Sequence, residues 1–369
     1  MAETIKIGVI GVGQIGKAHV TGYAAMPDVE IVAIADVNEA EARRVAEQHG
    51  IKHALSDFHE LLRMQEIQAV DVCLHNNLHA PVTIAALEAG KDVQCEKPMA
   101  GSYADALAMY DAAKRTGQRL GLPLRHIFSD DSKAARRLID AGMLGDIYYG
   151  RSHGFRRRGR PFVDGYGTAN FVQKAMASGG ALYDMGVYHI SQMLHLLGTT
   201  DVLTISGATH QAIPMYEDRR ASSGYDVEEL GLGLVRLAGG ITLAIEEAWA
   251  LHYEASEASK ILGSKGGIKL NPLAFFSTVA DMEMSGSFDL KSVNFRLHSV
   301  DPNYDGFDTA ERHWIATLQG RVTGIDTASL GLATMLISEG IYLSNRLGRE
   351  VTPDEVREHS VSTAIKLAG

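Results

Sequence analysis

Residues 179–190 read GGALYDMGVYHI, and three of them can act on a hydroxylated molecule. Tyr188 and His189 can each take a proton from an alcohol, and Asp184 is a carboxylate able to accept hydrogen bonds from hydroxyls. On a regular helix, at about 100° per residue, Val187, Ile190, Leu194 and Leu197 form the core-facing stripe. Asp184, Tyr188, Ser191 and His195 share a polar face, and His189 points roughly 130° away from it. Asp184 and Tyr188 therefore converge on one ligand. His189 joins them only if the first turn after Gly179 and Gly180 is irregular. A plain structural explanation also exists: a core aromatic, and an acid favoured by a helix N-terminus.

A second group of such residues sits where strand-like runs end. Gly11, Gly13 and Gly16 spell G-x-G-x-x-G, directly after IKIGVIG and opening the next helix, with Gln14 and Ile15 inside the motif. Such glycines permit a tight turn and let backbone N–H groups at a helix N-terminus approach a pyrophosphate. About twenty residues on, Asp36 ends the run EIVAIAD, where a carboxylate accepts hydrogen bonds from both ribose hydroxyls. Asp36 would repel a 2′-phosphate, and its neighbours Val37 and Asn38 supply no arginine, so the pattern points to NAD rather than NADP. Its alternative task is to cap the following helix. VCLHNNLHAP sets His75, Asn76 and His79 after one strand, and VQCEKPM sets Glu96, Lys97 and Pro98 after the next. A lysine at a strand end is usually just solvated. Here the flanking glutamate and proline fix the backbone, and a cis Lys97–Pro98 bond would aim the lysine inward. His75 and His79 have metal-like i, i+4 spacing but no third ligand nearby, so no metal is expected.

These groups need elements to hold them. Val/Ile-rich runs at 5–11, 30–36, 69–75, 91–97 and 118–124 alternate with helical patterns at 15–25, 38–48, 57–64, 80–88 and 103–115. That alternation predicts a parallel sheet covered on both faces, with ligands beyond the carboxyl ends of the strands. From about residue 123 the pattern changes to consecutive strand-like runs, with Gly239-Gly240 and Gly266-Gly267 as hairpin turns. The expected architecture is α/β plus α+β: a Rossmann domain over 1–123 and an α+β domain over 124–369. A helix at 327–346 should pack back on the first domain, and the tail from about 350 carries little signal.

With GVIGVGQIGKAH, HNNLHAPVTIAALEAGKDVQCEKPMA and SGGALYDMGVYHI together, the chain resembles the glucose–fructose oxidoreductase / inositol dehydrogenase / MocA family over nearly its whole length. The resemblance implies an NAD(P)-binding Rossmann domain and a C-terminal domain whose large, open, mostly antiparallel sheet serves as an oligomer interface in a homodimer or homotetramer. It also implies hydride transfer at a secondary alcohol of a sugar, cyclitol or related polyol. Matched position by position, Lys97 corresponds to the lysine that contacts the nicotinamide ribose and the substrate hydroxyl. Glu96 and Asn76 correspond to cofactor-contacting residues, with His79 grouped beside them. Asp184 corresponds to the substrate-binding acid of a D-x-x-x-H signature. Tyr188 stands where that signature has its histidine, as in the glucose–fructose oxidoreductase branch. An ammonium at Lys97 would lower the phenol's pKa from about 10 and fit Tyr188 to relay the proton.

The arginine-rich run RRRGR at 156–160 offers Arg158 as a contact for an acidic sugar or a phosphate, with Lys174 as a second cation near the pocket; an exposed or interface loop is the other reading. Two other functions remain open: glycosidic cleavage through transient oxidation by bound NAD, and a non-catalytic NAD-binding regulator. The 369-residue chain fits two domains, and a formal net charge of −10 argues against nucleic acid or an anionic membrane surface as partner. No apolar run approaches a membrane span, and two cysteines in apolar runs fit a reducing cytoplasm.

Overall fold

The apolar runs of the first third have no polar face, so they are stable only when buried on both sides. In the computed structural model, which describes residues 3–254 and 258–367, they form β1 (Ile5–Ile10), β2 (Val29–Ala35), β3 (His53–Leu55), β4 (Ala69–Val72), β5 (Asp92–Cys95) and β6 (Leu120–Gly121). All pairs are parallel, in the order β3-β2-β1-β4-β5-β6. The connecting helices are α1 (Gln14–Ala24), α2 (Glu39–His49), α3 (Phe58–Arg63), α4 (Asn76–Glu88) and α5 (Tyr103–Thr116). The strand order reverses between β1 and β4, and α1 and α4 begin there, which is where an open α/β sheet leaves a ligand crevice. Asn38 caps α2 by accepting the Glu41 N–H at 3.2 Å, so Asp36 does not have that task. The three-residue β3 was not foreseen, being too short to show an alternation.

Past α6 (Asp130–Asp140) comes the second sheet, of β7 (Ile147–Phe155), β8 (Val202–His210), β9 (Leu230–Leu237), β10 (Ile241–Ala248), β11 (Lys260–Gly263), β12 (Gly266–Lys269), β13 (Ala274–Val279) and β14 (Met282–Ser287). Its order is β14-β13-β12-β11-β7-β10-β9-β8, antiparallel except for the β7–β10 pair. Gly239 and Gly240 turn the β9–β10 hairpin as expected. Gly266 and Gly267 do not turn: they lie within β12, and Ser264 and Lys265 make the bend. The backbone N–H groups of those two residues bond to Asp146 and Leu144 carbonyls, which fixes the turn one step earlier.

The remaining helices are α7 (Lys174–Ala177), α8 (Val187–Leu197), α9 (Glu217–Ser223), α10 (Leu290–Val300), α11 (Ala310–Leu318), α12 (Thr327–Leu347) and α13 (Pro353–His359). Helix α12 joins the halves. Thr327 Oγ1 accepts the Leu122 N–H at 2.9 Å, and the Tyr110 and Ser329 hydroxyls meet at 2.9 Å, while Ser344 Oγ accepts from Gly207 of β8 at 2.9 Å. Beyond α13 the chain returns to the first domain through Thr363 N–H to Asp105 and Ile365 N–H to Asn77 carbonyl. These contacts are long-range, so the tail's own pattern could not announce them. No helix among the described residues is long and apolar enough to cross a membrane.

Ile341, fully buried on α12 against the second sheet, tests this packing. Ile341→Ala should cost about 2–5 kcal/mol of stability, read as a lower denaturation midpoint.

Candidate active site

The G-x-G-x-x-G turn is shaped for a phosphate. Gly11 has φ +93, and a side chain there would stand 2.4 Å from the Cys73 carbonyl oxygen; one on Gly16 would stand 2.0 Å from the Gly11 oxygen. Gly13 precedes α1 without a capping side chain, and a Cβ on it would meet nothing within 4 Å. The helix N-terminus thus opens onto free space beside Gln14 and Ile15. Asp36 Oδ2 accepts the Val12 N–H and Oδ1 the Asn38 N–H, both at 2.8 Å, which aims the carboxylate while leaving lone pairs for ribose hydroxyls. The residues present fit a dinucleotide.

At the end of β5 the Lys97–Pro98 peptide is cis. Lys97 Nζ lies 3.0 Å from Asp184 Oδ1, donates to the Asp184 carbonyl at 3.2 Å, and stands 4.8 Å from the Tyr188 ring centroid. The three residues that the sequence offered as one site therefore do meet, across the two sheets. Asp184 Oδ2 also accepts from Trp249 Nε1 at 3.0 Å and faces Arg156 Nη1 at 3.5 Å. Burial pushes the Asp184 pKa up, but Lys97, Arg156 and the Trp249 hydrogen bond outweigh it, and the group stays a carboxylate below its usual range. Burial works to lower the Lys97 value; the charges of Asp184, Tyr188 and Glu96 prevail and hold it above the ordinary lysine range.

Tyr188 departs from expectation. Burial raises its pKa, and Lys97, which pulls it down, does not overcome that. The reason is geometric: the ammonium sits over the ring face, and the Glu96 and Asp184 charges oppose it. The turn that carries Asp184 is irregular, the condition on which His189 could join it. Residues 182–186 form a π-helical turn, whose wider i→i+5 closure shifts the residues after it relative to Asp184. His189 Nδ1 pairs with Glu247 Oε2 at 2.8 Å, while Ser152 Oγ donates to the other oxygen at 2.8 Å. Burial lowers the His189 value, but Glu247 carries it above normal. His126 stacks on Tyr188 with ring centroids 5.2 Å apart and tilts against His189 at 4.8 Å. Burial and His189 push its pKa down to about 4.

Other expected contacts are redistributed. Glu96 is buried; its Oε2 accepts the Lys97 N–H at 3.0 Å and its Oε1 lies 3.1 Å from His19 Nε2. Asn76 Nδ2 donates to the Ala177 carbonyl at 2.8 Å, tying α4 to the segment before the glycines. His79 does not face the cofactor crevice: it is fully buried, with its ring nitrogens on the Pro98 and Leu74 carbonyls. Arg158 turns to Asp164 and the Tyr216 ring, and Arg160 is wholly buried against Asp164 and Glu229, so Arg156 is the arginine that reaches Asp184. Lys174 is exposed and lines a separate cleft with Tyr183, Tyr342 and Arg346. Sequence reasoning missed Arg156, Trp249, Glu247, His126 and His19. Glu247 and Trp249 had a readable signal, an acid and an indole continuing the inward face of Leu243 and Ile245 at period two.

Two family models match: the oxidoreductase family with NAD-binding Rossmann fold over residues 5–123, and the GFO/IDH/MocA C-terminal domain over 132–269. The chain belongs to the GFO/IDH/MocA family. Its cofactor is NAD, held by the Rossmann domain. A D-glucoside 3-dehydrogenase of Escherichia coli is 29% identical, the match covering 95% of this chain and 98% of the relative. A levoglucosan dehydrogenase of Pseudarthrobacter phenanthrenivorans is 28% identical over 76% and 78% of the two chains. In fold, a levoglucosan dehydrogenase solved with NADH and levoglucosan superimposes with a TM-score of 0.77 at 23% identity, over 94% of this chain and 99% of that one.

Within this family frame Asp36 is the residue to test for cofactor choice. Asp36→Ala should weaken NAD binding about tenfold, the scale of one lost charged hydrogen bond, and narrow the gap to NADP, both read by fluorescence titration.

Proposed function

We propose that the chain interconverts a secondary alcohol of a sugar, sugar derivative or cyclitol with its ketone, with NAD as hydride partner. The observation that carries this reading is the Lys97–Asp184 pair at 3.0 Å, with the Tyr188 ring 4.8 Å from the same ammonium, at the mouth of the NAD-binding domain. Bound NAD supplies the hydride acceptor. Lys97 and the Tyr188 hydroxyl hold the reacting oxygen, and Asp184 accepts a hydrogen bond from a neighbouring hydroxyl. A carboxylate in that place favours a polyol over an isolated alcohol, since it needs a second O–H to bond. The sugar-directed names of the two curated relatives support the same class.

The protonation states give the reaction a pH signature. Lys97 and Tyr188 both titrate above their ordinary values, so both carry their protons at neutral pH. They are set to protonate an alkoxide formed by ketone reduction; oxidation needs one of them deprotonated. Oxidation should therefore speed up as pH rises into the alkaline range, while reduction slows.

One observation favours a second proton acceptor. Glu247 holds His189 through Nδ1, which orients the ring and leaves Nε2 as the acceptor. If His189 takes the proton, oxidation should instead level off above a limb somewhat higher than the usual His value of about 6.5. Tyr188→Phe should cut turnover about a hundredfold, within the range for a lost acid–base group, and His189→Asn far less. The reverse pattern transfers the role to His189. Lys97→Ala should lose about 10²–10⁴ in turnover with NAD affinity kept within about tenfold.

The screen that tests the class measures NADH formation across sugars, sugar acids, cyclitols and anhydrosugars, with NAD and NADP. Stoichiometric NADH excludes glycoside cleavage by transient oxidation, and loss of activity in the Lys97 variant excludes a regulator. The unpaired, buried Cys73 and Cys95 support a reducing cytoplasm. Exposed Leu234 and Phe276, which the strand register sets on the same open face of the second sheet, support a homo-oligomer through that face.

A further inference from the structure

The helix that presents Asp184 begins without a cap of its own. No side chain near Ala181 or Gly186 caps the π turn or α8, although the first N–H groups of a helix need partners. The partner comes from another element. Glu228, in the segment entering β9, is 8% exposed, and its carboxylate reaches the turn from below. Oε2 accepts the Gly180 N–H at 2.8 Å and Oε1 accepts the Leu182 N–H at 3.0 Å. The Tyr342 hydroxyl on α12 donates to Oε1 at 2.9 Å, and the Glu228 carbonyl takes the Ala181 N–H at 3.4 Å.

The glycine pair before the turn is explained by this approach. A Cβ on Gly180 would stand 2.0 Å from the Glu228 carbonyl oxygen, and one on Gly179 would stand 2.4 Å from the Tyr342 hydroxyl. Burial raises the Glu228 pKa, opposed by the Leu182 and Gly180 N–H groups and the Tyr342 hydroxyl that donate to it; an acceptor at a helix N-terminus is favoured by hydrogen bonding and, when ionised, by the helix dipole. Two residues beyond Leu182 comes Asp184, whose own carbonyl and carboxylate both receive Lys97.

We propose that Glu228 is a positioning residue for the reaction: it clamps the start of the active-site turn and so sets where Asp184 meets Lys97. The inference rests on the role given above to Asp184. The Glu228 carboxylate is taken up by Gly180, Leu182 and Tyr342, so its removal acts on turnover through geometry, where displacements of about 1 Å cost up to a hundredfold.

Glu228→Gln keeps the shape but turns an NH₂ donor toward one of the two N–H donors. It should lower kcat at least tenfold and raise KM for the sugar, with NAD affinity unchanged. Glu228→Asp keeps the charge but reaches only one N–H, and should fall between wild type and the Gln variant; it also serves as the test if the Gln variant does not fold. Ile341→Ala destabilises from a distance. It should lower Tm and leave kcat at 25 °C close to wild type. Wild-type turnover in the Glu228 variants, or turnover losses that follow Tm alone across all three, would overturn the proposal. Asp184→Asn separates the two readings. A loss there with none at Glu228 removes the clamp alone, and no loss there removes the site reading beneath it.

Discussion

The two halves of the candidate site are joined by one ion pair made between the two sheets. Lys97 leaves the end of β5 in the parallel sheet, and Asp184 leaves a turn packed on the antiparallel one. Taking both charges out of water is costly, and their attraction repays that cost only with good geometry and further hydrogen bonds. Those are present: Asp184 is bonded to Lys97 and Trp249 and faces Arg156, and Lys97 takes the Asp184 carbonyl as well. The pair therefore holds the halves of the site in one arrangement, and the same charges keep the carboxylate ionised and the ammonium protonated.

Each partner of the pair is itself held from behind. On the lysine side, Glu96 takes the Lys97 N–H and lies against His19, whose other ring nitrogen is 2.7 Å from Asp71 Oδ2. Burial works against a charge on His19, yet Asp71 and Cys73 raise its pKa above normal; the ring lies between the Asp71 and Glu96 carboxylates, with the Arg125 guanidinium also 3.1 Å from Nε2. His19 lies on α1, whose uncapped N-terminus opens at the glycine turn, so the helix that starts there also supports Glu96 and through it the backbone of Lys97. On the aspartate side, Glu228 and Tyr342 connect the turn to β9 and α12. Helix α12 in turn bonds to Leu122 and Tyr110 of the first domain. The positioning groups thus close a circuit around the site.

The acid–base chemistry follows from the same burial. Tyr188 loses more from desolvation than it gains from an ammonium over its ring face. A cation stabilises a phenolate best at the oxygen, and here it stands over the ring. Under the proposed reaction such a phenol donates its proton, and the His189–Glu247 pair one residue along the chain is the other candidate acceptor.

How much of this could be read in advance depends on the range of the interactions. The alternation of strands and helices, the glycine turn and Asp36 are local patterns, and they led to the right sheet and cofactor. Lys97, Asp184 and Tyr188 were legible because a strand end and a helix face each display their residues at a fixed spacing. His189 stayed the second candidate because its joining Asp184 and Tyr188 requires an irregular first turn, and periodicity cannot tell a π turn from an α turn: both show the same residues. Arg158 was preferred to Arg156 for a like reason, since which arginine of RRRGR turns inward is decided by Asp164 and Glu229 taking Arg160 into the core. The signal available for Glu247 and Glu228 was a carboxylate within or next to an apolar strand run. Glu247 follows Leu243 and Ile245 on an inward face, and Glu228 precedes β9, positions at which an ionised group is stable only with donors waiting for it.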